Sequence, residues 1–208
     1  MTFSGSEFFG DMTMELVLIR HGESIGNAVR GESAVYTGRW DCDLTERGYQ
    51  QAKSLIGKTL LENIDAWYSS NLIRTIETAR TITDRDIIVD KRLQERSLGE
   101  FEGLTIESVK KDPRYIKYFT DPEFMQFRNS FTVKAPGGES YGDVCERVKL
   151  FLQELACKDY KKVAIVTHHC VIRCIVKILN NLSEDETLSF KVNNCEPISV
   201  QLGVDSLQ

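Results

Sequence analysis

His21 stands in Leu18-Ile19-Arg20-His21-Gly22-Glu23, at the end of a short apolar run. A neutral imidazole can attack phosphorus, and an ordinary histidine pKa of about 6.5 permits that at neutral pH. The covalent product would be a phosphohistidine, which divides one hard displacement into two easier ones. Phosphoryl transfer otherwise needs positioning and charge neutralisation. Arginine supplies both through its planar, two-pronged donor. Arg20 precedes His21, and Arg74 opens a helical run at residues 73–81. Gly22 would let the backbone pass close to a phosphate, and Asn27 could donate an amide hydrogen. Glu95, in Arg92-Leu93-Gln94-Glu95-Arg96, is the candidate proton donor to a leaving alkoxide and the acceptor from water in the second step. The chain has three histidines, at 21, 168 and 169.

These residues need elements to hold them together. Apolar runs at 16–19 and 163–166 suit strands covered on both faces, as in a parallel sheet. Weaker strand candidates lie at 64–68 and 87–89, and 197–202 suits an edge strand because proline is tolerated at its first residue. Helical spacing follows Thr45, a good N-cap, through Leu60, and Ser140 with Asp143 reads as a capping box before a stripe of Val144, Val148, Phe151, Leu152 and Leu155. Residues 171–179 form a further helix candidate. Alternating strands and helices predict an α/β domain with a mainly parallel sheet. Ligands of such sheets bind beyond the carboxyl ends of the strands. His21, His168, Arg74 and Glu95 each follow a strand candidate.

Taken singly, each residue has a plainer use. Arg74 could pair with Glu77 on a helix surface, Glu95 with Arg92 or Arg96, and His168 could be a satisfied core histidine. Their coincidence at several strand ends favours the chemical reading. Residues 112–135 stand apart, mixing aromatics with Arg114, Lys117, Arg128 and Lys134 and showing no clean period. They read either as a cap inserted beside the site, over about 105–138, or as helical packing on the core. Bases there could meet a second phosphate or a carboxylate, and aromatics could meet a sugar or a base.

Net charge is −5 over 208 residues, which argues against nucleic acid or an anionic membrane as the main partner. No apolar stretch reaches bilayer length. The six cysteines include no C-x-x-C pair, which points to a reducing, cytoplasmic setting and packed thiols. Residues 1–13 lack the pattern of a signal peptide and read as a flexible leader to a single domain at 14–208.

The motifs resemble the histidine phosphatase superfamily, also called phosphoglycerate mutase-like. Arg20-His21-Gly22, Ser69 to Ala79 with Arg74, Leu93-Gln94-Glu95-Arg96 and Val166-Thr167-His168 carry the resemblance, over about 16–202. It implies a three-layer α/β/α sandwich, a pocket of Arg20, His21, Arg74 and His168, Glu95 as general acid/base, and neither metal nor cofactor. It also implies that Asn27 helps hold the phosphate while Ser24, Thr37 and Gly38 line the entrance, and that His168 could be protonated beside the dianion. The family usually has glycine where this chain has His169, and a side chain there either packs away, the expected case, or narrows the pocket. A metal site at His168 and His169 is not expected, since neighbours on a strand point oppositely. The interval from Glu95 to His168 and the segment Pro136-Gly137-Gly138-Glu139-Ser140 resemble the small phosphatase branch rather than the mutases. A phosphomonoesterase acting on a small phosphorylated metabolite is therefore expected. A mutase is the alternative, and a non-catalytic binder a more distant one.

Overall fold

The protein is described by a computed structural model covering residues 13–203 and Leu207. The proposed leader lies outside the described residues but for Thr13. Five strands are β1 (Met14–Arg20), β2 (Ala66–Ser69), β3 (Ile87–Val89), β4 (Lys162–Thr167) and β5 (Ile198–Leu202). The helices are α1 (Ile25–Ala28), α2 (Glu46–Lys53), α3 (Ile73–Ile82), α4 (Ile106–Lys111), α5 (Lys117–Thr120), α6 (Tyr141–Leu155), α7 (His169–Asn180) and α8 (Glu184–Ser189). Sheet order is β3-β2-β4-β1-β5. Four strands are parallel, and β5 runs antiparallel to β1 at the edge.

Both faces of the sheet are covered, as the continuous apolar runs require. Leu16, Leu18, Val163 and Ile165 pack on one side with Val144, Val148 and Phe151 of α6 and Ile172 and Ile175 of α7. Val17, Ile19, Ala164 and Val166 face the other way, with Ala52 of α2 and Ala79 of α3. This alternation is the period of two made visible. The result is the expected α/β/α sandwich. Thr45 caps α2 by accepting from the Gly48 N–H, and Ser140 with Asp143 forms the capping box of α6. Helix α2 stops at Lys53, short of the expected Leu60, because the chain breaks into turns before a separate 3-10 turn at Thr59–Leu61.

Residues 106–129 form short helical pieces. Their aromatic side chains are not offered to a sugar. Tyr115, Tyr118 and Phe127 close around Phe101 and Tyr36 in a third apolar cluster. Three of the four bases are committed as well. Arg114 pairs with Asp112, Lys134 with Asp143, and Lys117 sits over the Phe124 ring. Arg128 alone of the four faces the cavity described below. Among the described residues no helix is long and apolar enough to cross a membrane.

Candidate active site

Register decides what meets at the carboxyl edge. Arg20 is opposite Thr167, and Ser69 is opposite both Val166 and Val89. The residues that leave these strands, His21, Ser70, Asp90 and His168, therefore emerge at one level. His21 and His168 are 3% and 0% exposed, with ring centroids 5.2 Å apart.

His21 is oriented by the backbone. Its Nδ1 lies 2.7 Å from the Gly22 carbonyl, which can only accept, so Nδ1 carries the proton and Nε2 keeps its lone pair. The Gly22 N–H donates to Thr78 Oγ1 at 3.0 Å, and Asn194 Nδ2 donates to the His21 carbonyl at 2.6 Å. Burial, then Arg74 and Arg20, hold the His21 pKa well below the ordinary value. The imidazole is thus a neutral base with an open nitrogen.

His168 is fixed from the opposite side. Its Nε2 is 2.9 Å from Ser70 Oγ, which already accepts from the Leu72 N–H. The Ser70 hydroxyl has no other acceptor among the described residues, so it donates to Nε2 and leaves Nδ1–H free. Burial, Arg74 and His21 lower the His168 pKa well below the usual range. Burial and these charges favour the neutral ring, whose free Nδ1–H can act as a donor.

Four buried side-chain N or O atoms lack a hydrogen-bond partner among the described residues: Arg20 Nε, Arg74 Nε, His168 Nδ1 and Asn71 Oδ1. Unsatisfied buried groups are costly and rare. Three of the four belong to the side chains that the sequence assigns to a phosphate. Arg74 is 1% exposed and does not pair with Glu77. Its two terminal nitrogens donate to the carbonyls of Trp40 at 3.1 Å and Gly38 at 2.7 Å. Carbonyls aim the guanidinium without neutralising it. Glu77 instead accepts from Tyr49 Oη and the Leu44 N–H.

A cavity of about 730 Å³ opens beside this cluster, with Arg20, Asn27, Thr37, Gly38, Glu95 and His169 in its wall. His21, Arg74 and His168 are not among its lining residues; Arg20, Gly38 and His169, which adjoin or bind them, are. Glu95 links the two levels, since its charge acts on both Arg20 and Arg74. Its side chain pairs with neither Arg92 nor Arg96 and, among the described residues, accepts only the Arg96 N–H, at 2.8 Å. The Glu95 carbonyl accepts from Arg39 and Arg147, both bound to Glu139. Asn27 accepts from Ser24 Oγ at 3.0 Å, and its NH2 has no partner among the described residues at the cavity wall.

Several expectations need correction. Ser24 does not line the entrance; it is fully buried behind Asn27. The Gly22 N–H donates to Thr78 Oγ1. What requires glycine there is the back-to-back approach of Gly22 and Gly48: a Cβ on either would overlap backbone of the other loop. The two adjacent histidines are not on a strand, since His168 is the N-cap of α7 and His169 its first residue. His169 does not pack away. It lines the cavity, and burial together with Arg173 and Arg20 lowers its pKa to about 3. Among the described residues no three His, Cys, Asp or Glu side chains converge as metal ligands. Sequence reasoning missed Ser70, Thr78, Asn194, Arg39, Arg147 and Glu139. Ser70, Thr78 and Glu139 lay in quoted motifs, and nothing local marks Arg39, Arg147 or Asn194.

Two predictions follow from this packing. Gly48 lies inside α2, where alanine would ordinarily improve helix propensity by about 1 kcal/mol. The clash with the Glu23 carbonyl reverses the sign: Gly48→Ala should cost roughly 1–3 kcal/mol, read as an unfolding midpoint several degrees lower. Secondly, all three histidine pKa values are lowered by folding. The unfolded chain then binds more protons below about pH 6.5, so stability is full above that pH and falls as pH drops. Unfolding at pH 6 should take up about two protons, measurable from the pH slope of the denaturation free energy. A slope near zero between pH 6 and 7 would contradict buried neutral histidines.

Comparison with known proteins gives the family. A family model described as histidine phosphatase superfamily (branch 1) matches residues 16–206. A putative phosphoserine phosphatase 2 of Hydrogenobacter thermophilus is 31% identical over 182 residues, 86% of this chain and 85% of that protein. A 2,3-bisphosphoglycerate-dependent phosphoglycerate mutase of Rhizobium etli is 32% identical over 207 residues, 94% of this chain and 93% of that protein. Among solved structures, the mycobacterial glucosyl-3-phosphoglycerate phosphatase complexed with VO3 has a TM-score of 0.73 at 26% identity, covering 89% of this chain and 92% of that one.

Proposed function

The chain belongs to the histidine phosphatase superfamily, and we propose that it is a phosphomonoesterase that hydrolyses a small phosphorylated metabolite through a phosphohistidine on His21. The carrying observation is the pairing of an open His21 Nε2 with three buried N–H groups, on Arg20, Arg74 and His168, that have no partner among the described residues. Nε2 attacks phosphorus, the ester oxygen leaves, and the negative charge on the non-bridging oxygens is met by those donors. Glu95 gives its proton to the leaving oxygen, then takes one from the water that cleaves the phosphorus–nitrogen bond. Asn27, Thr37, Gly38 and His169 bound the substrate, while Gly22 and Ser24 act indirectly, through backbone packing and through Asn27. The net charge of −5 supports a small-molecule rather than a nucleic-acid substrate. Six unpaired thiols support a cytoplasmic setting.

Release of inorganic phosphate from p-nitrophenyl phosphate and from a panel of phosphorylated metabolites tests the reading. Turnover that is lost in His21→Ala supports it; no hydrolysis of any ester overturns it. The Rhizobium etli likeness favours a second reading, a mutase. That protein is covered over 93% of its length, so the short interval from Glu95 to His168 does not separate the two activities. Formation of 2-phosphoglycerate from 3-phosphoglycerate in the presence of bisphosphoglycerate, faster than phosphate release, would select the mutase.

A further inference from the structure

Glu95 sits on a stretch with no regular structure of its own. Residues 94–98 lie between 3-10 turns at Lys91–Leu93 and Gly99–Phe101. A group that moves a proton must be held within about 0.5 Å of its working position, and an irregular loop cannot do this alone. Three charged side chains hold it from outside. Arg39 Nε and Arg147 Nη2 each donate to the Glu95 carbonyl at 3.2 Å. Arg147 also donates to the Arg92 carbonyl. Both guanidinium groups converge on one carboxylate, Glu139. Its Oε1 accepts from Arg39 Nη2 at 2.9 Å and from Arg147 Nε at 3.0 Å. Its Oε2 accepts from Arg147 Nη2 at 3.1 Å and from the Ser97 N–H at 2.9 Å. The Glu139 N–H in turn donates to the Ser97 carbonyl. Each carboxylate oxygen thus takes two donors, which fills its capacity.

Burial would raise the Glu139 pKa, but Arg147, the Ser97 N–H and Arg39 together hold it below the ordinary value, so it stays an anion at neutral pH. None of Glu139, Arg39 and Arg147 lines the cavity, so their reach into the site is indirect. That reach covers both halves of the site. Arg39 stands between Gly38 and Trp40, whose carbonyls aim Arg74. The side chain between those carbonyls is the one that grips Glu95. The phosphate-binding arginine and the acid are therefore referred to one three-residue segment, with Glu139 as its counter-charge.

We infer that Glu139 is a positioning residue for proton transfer: through Arg39 and Arg147 it fixes the main chain of Glu95, so that the carboxyl meets the leaving oxygen and then the attacking water. This role rests on Glu95 being the general acid/base, and it names the group that sets where the acid stands. Glutamine at 139 offers one acceptor oxygen in place of two and leaves two guanidinium groups without a counter-charge. The fold should survive, because Glu102 still joins the same segments by accepting the Arg39 N–H and the Leu98 N–H.

Rapid mixing of the full chain with p-nitrophenyl phosphate separates the steps. p-Nitrophenolate leaves without a proton, whereas hydrolysis of the phosphohistidine needs a base. Glu139→Gln should keep kcat/KM, which reports phosphorylation, within about twofold of wild type, and should slow the phase after the burst by about 10- to 100-fold. Arg39→Lys keeps the charge and loses the two-pronged bridge, so it should show the same split. In Glu95→Gln the carboxyl is already gone, so adding Glu139→Gln should cost less than about twofold more. Losses that multiply, or a burst slowed as much as the later phase, would make the network a general brace of the fold and overturn the role. If Glu95→Gln is impaired while Glu139→Gln and Arg39→Lys match wild type, the acid stands and its positioning by Glu139 is refuted. If Glu95→Gln matches wild type, or wild type hydrolyses nothing, the acid reading falls and this role falls with it. Should Glu139→Gln fail to fold, Arg39→Lys decides alone, since the Arg39 side chain is 31% exposed and its loss leaves no buried gap.

Discussion

His21→Ala should lower kcat by at least about 10⁴-fold and abolish the phosphoenzyme, while the protein stays folded. The loss is large because no other side chain can replace the attacking atom. His168 is the nearest imidazole, but its Nε2 is held by Ser70 and its Nδ1 bears a proton. Folding should survive because the anchors of this loop are backbone groups: the Gly22 N–H on Thr78 and the His21 carbonyl on Asn194 persist in the variant. Quenching wild type in alkaline detergent during turnover of a labelled ester should trap up to one phosphoryl group per chain, stable in base and labile in acid. Trapping an equal amount from His21→Ala would show that the nucleophile lies elsewhere. Unchanged circular dichroism would separate lost chemistry from lost structure.

How far this was legible in the sequence depended on the kind of signal. Continuous apolar runs ending in a charged or polar residue located β1 and β4, since a strand buried on both faces leaves no other pattern at that length. His21, Arg74, Glu95 and His168 could then be placed at one edge by topology alone. The partners that fix their geometry were not legible. Ser70, Thr78 and Asn194 act through single hydrogen bonds across 98, 56 and 173 residues, and no local spacing encodes such bonds. The low pKa of His168 was not legible for a related reason: it comes from burial and from Arg74, and burial cannot be read from one strand end.

Residues 112–135 were ambiguous because their two uses coexist. Tyr115, Tyr118, Phe119, Phe124 and Phe127 build a small core around Phe101, and the same short helices leave Arg128 in the cavity wall. Packing and recognition therefore alternate within a segment too short for either to impose a period. His169 is the opposite case. Its departure from the family glycine was plain in the sequence, yet its direction was not, because the residue opens α7 instead of extending β4. A strand would have turned it from His168; a helix start turns it into the cavity.

Glu95→Gln should separate the two chemical steps. Amide and carboxylate are nearly the same size, and the Arg96 N–H can still be accepted, so the loop should hold its shape. With an alkyl phosphate, the leaving alkoxide needs a proton, and kcat should fall by about 10²–10⁴-fold. p-Nitrophenolate departs without one, so phosphorylation of His21 should stay fast in the variant. Hydrolysis of the phosphohistidine still needs a base for the attacking water, and Glu95 is the carboxylate that acts on both Arg20 and Arg74. Rapid mixing should therefore show a burst of about one equivalent of p-nitrophenolate followed by slow turnover, with the phosphoenzyme accumulating. The same variant without a burst, and with equal losses on both esters, would mean that Glu95 shapes the pocket and another group moves the proton. Because the slow phase after the burst measures dephosphorylation alone, it also tests whether water reaches His21 from the Glu95 side. That access is the property that divides a phosphatase from a mutase built on the same residues.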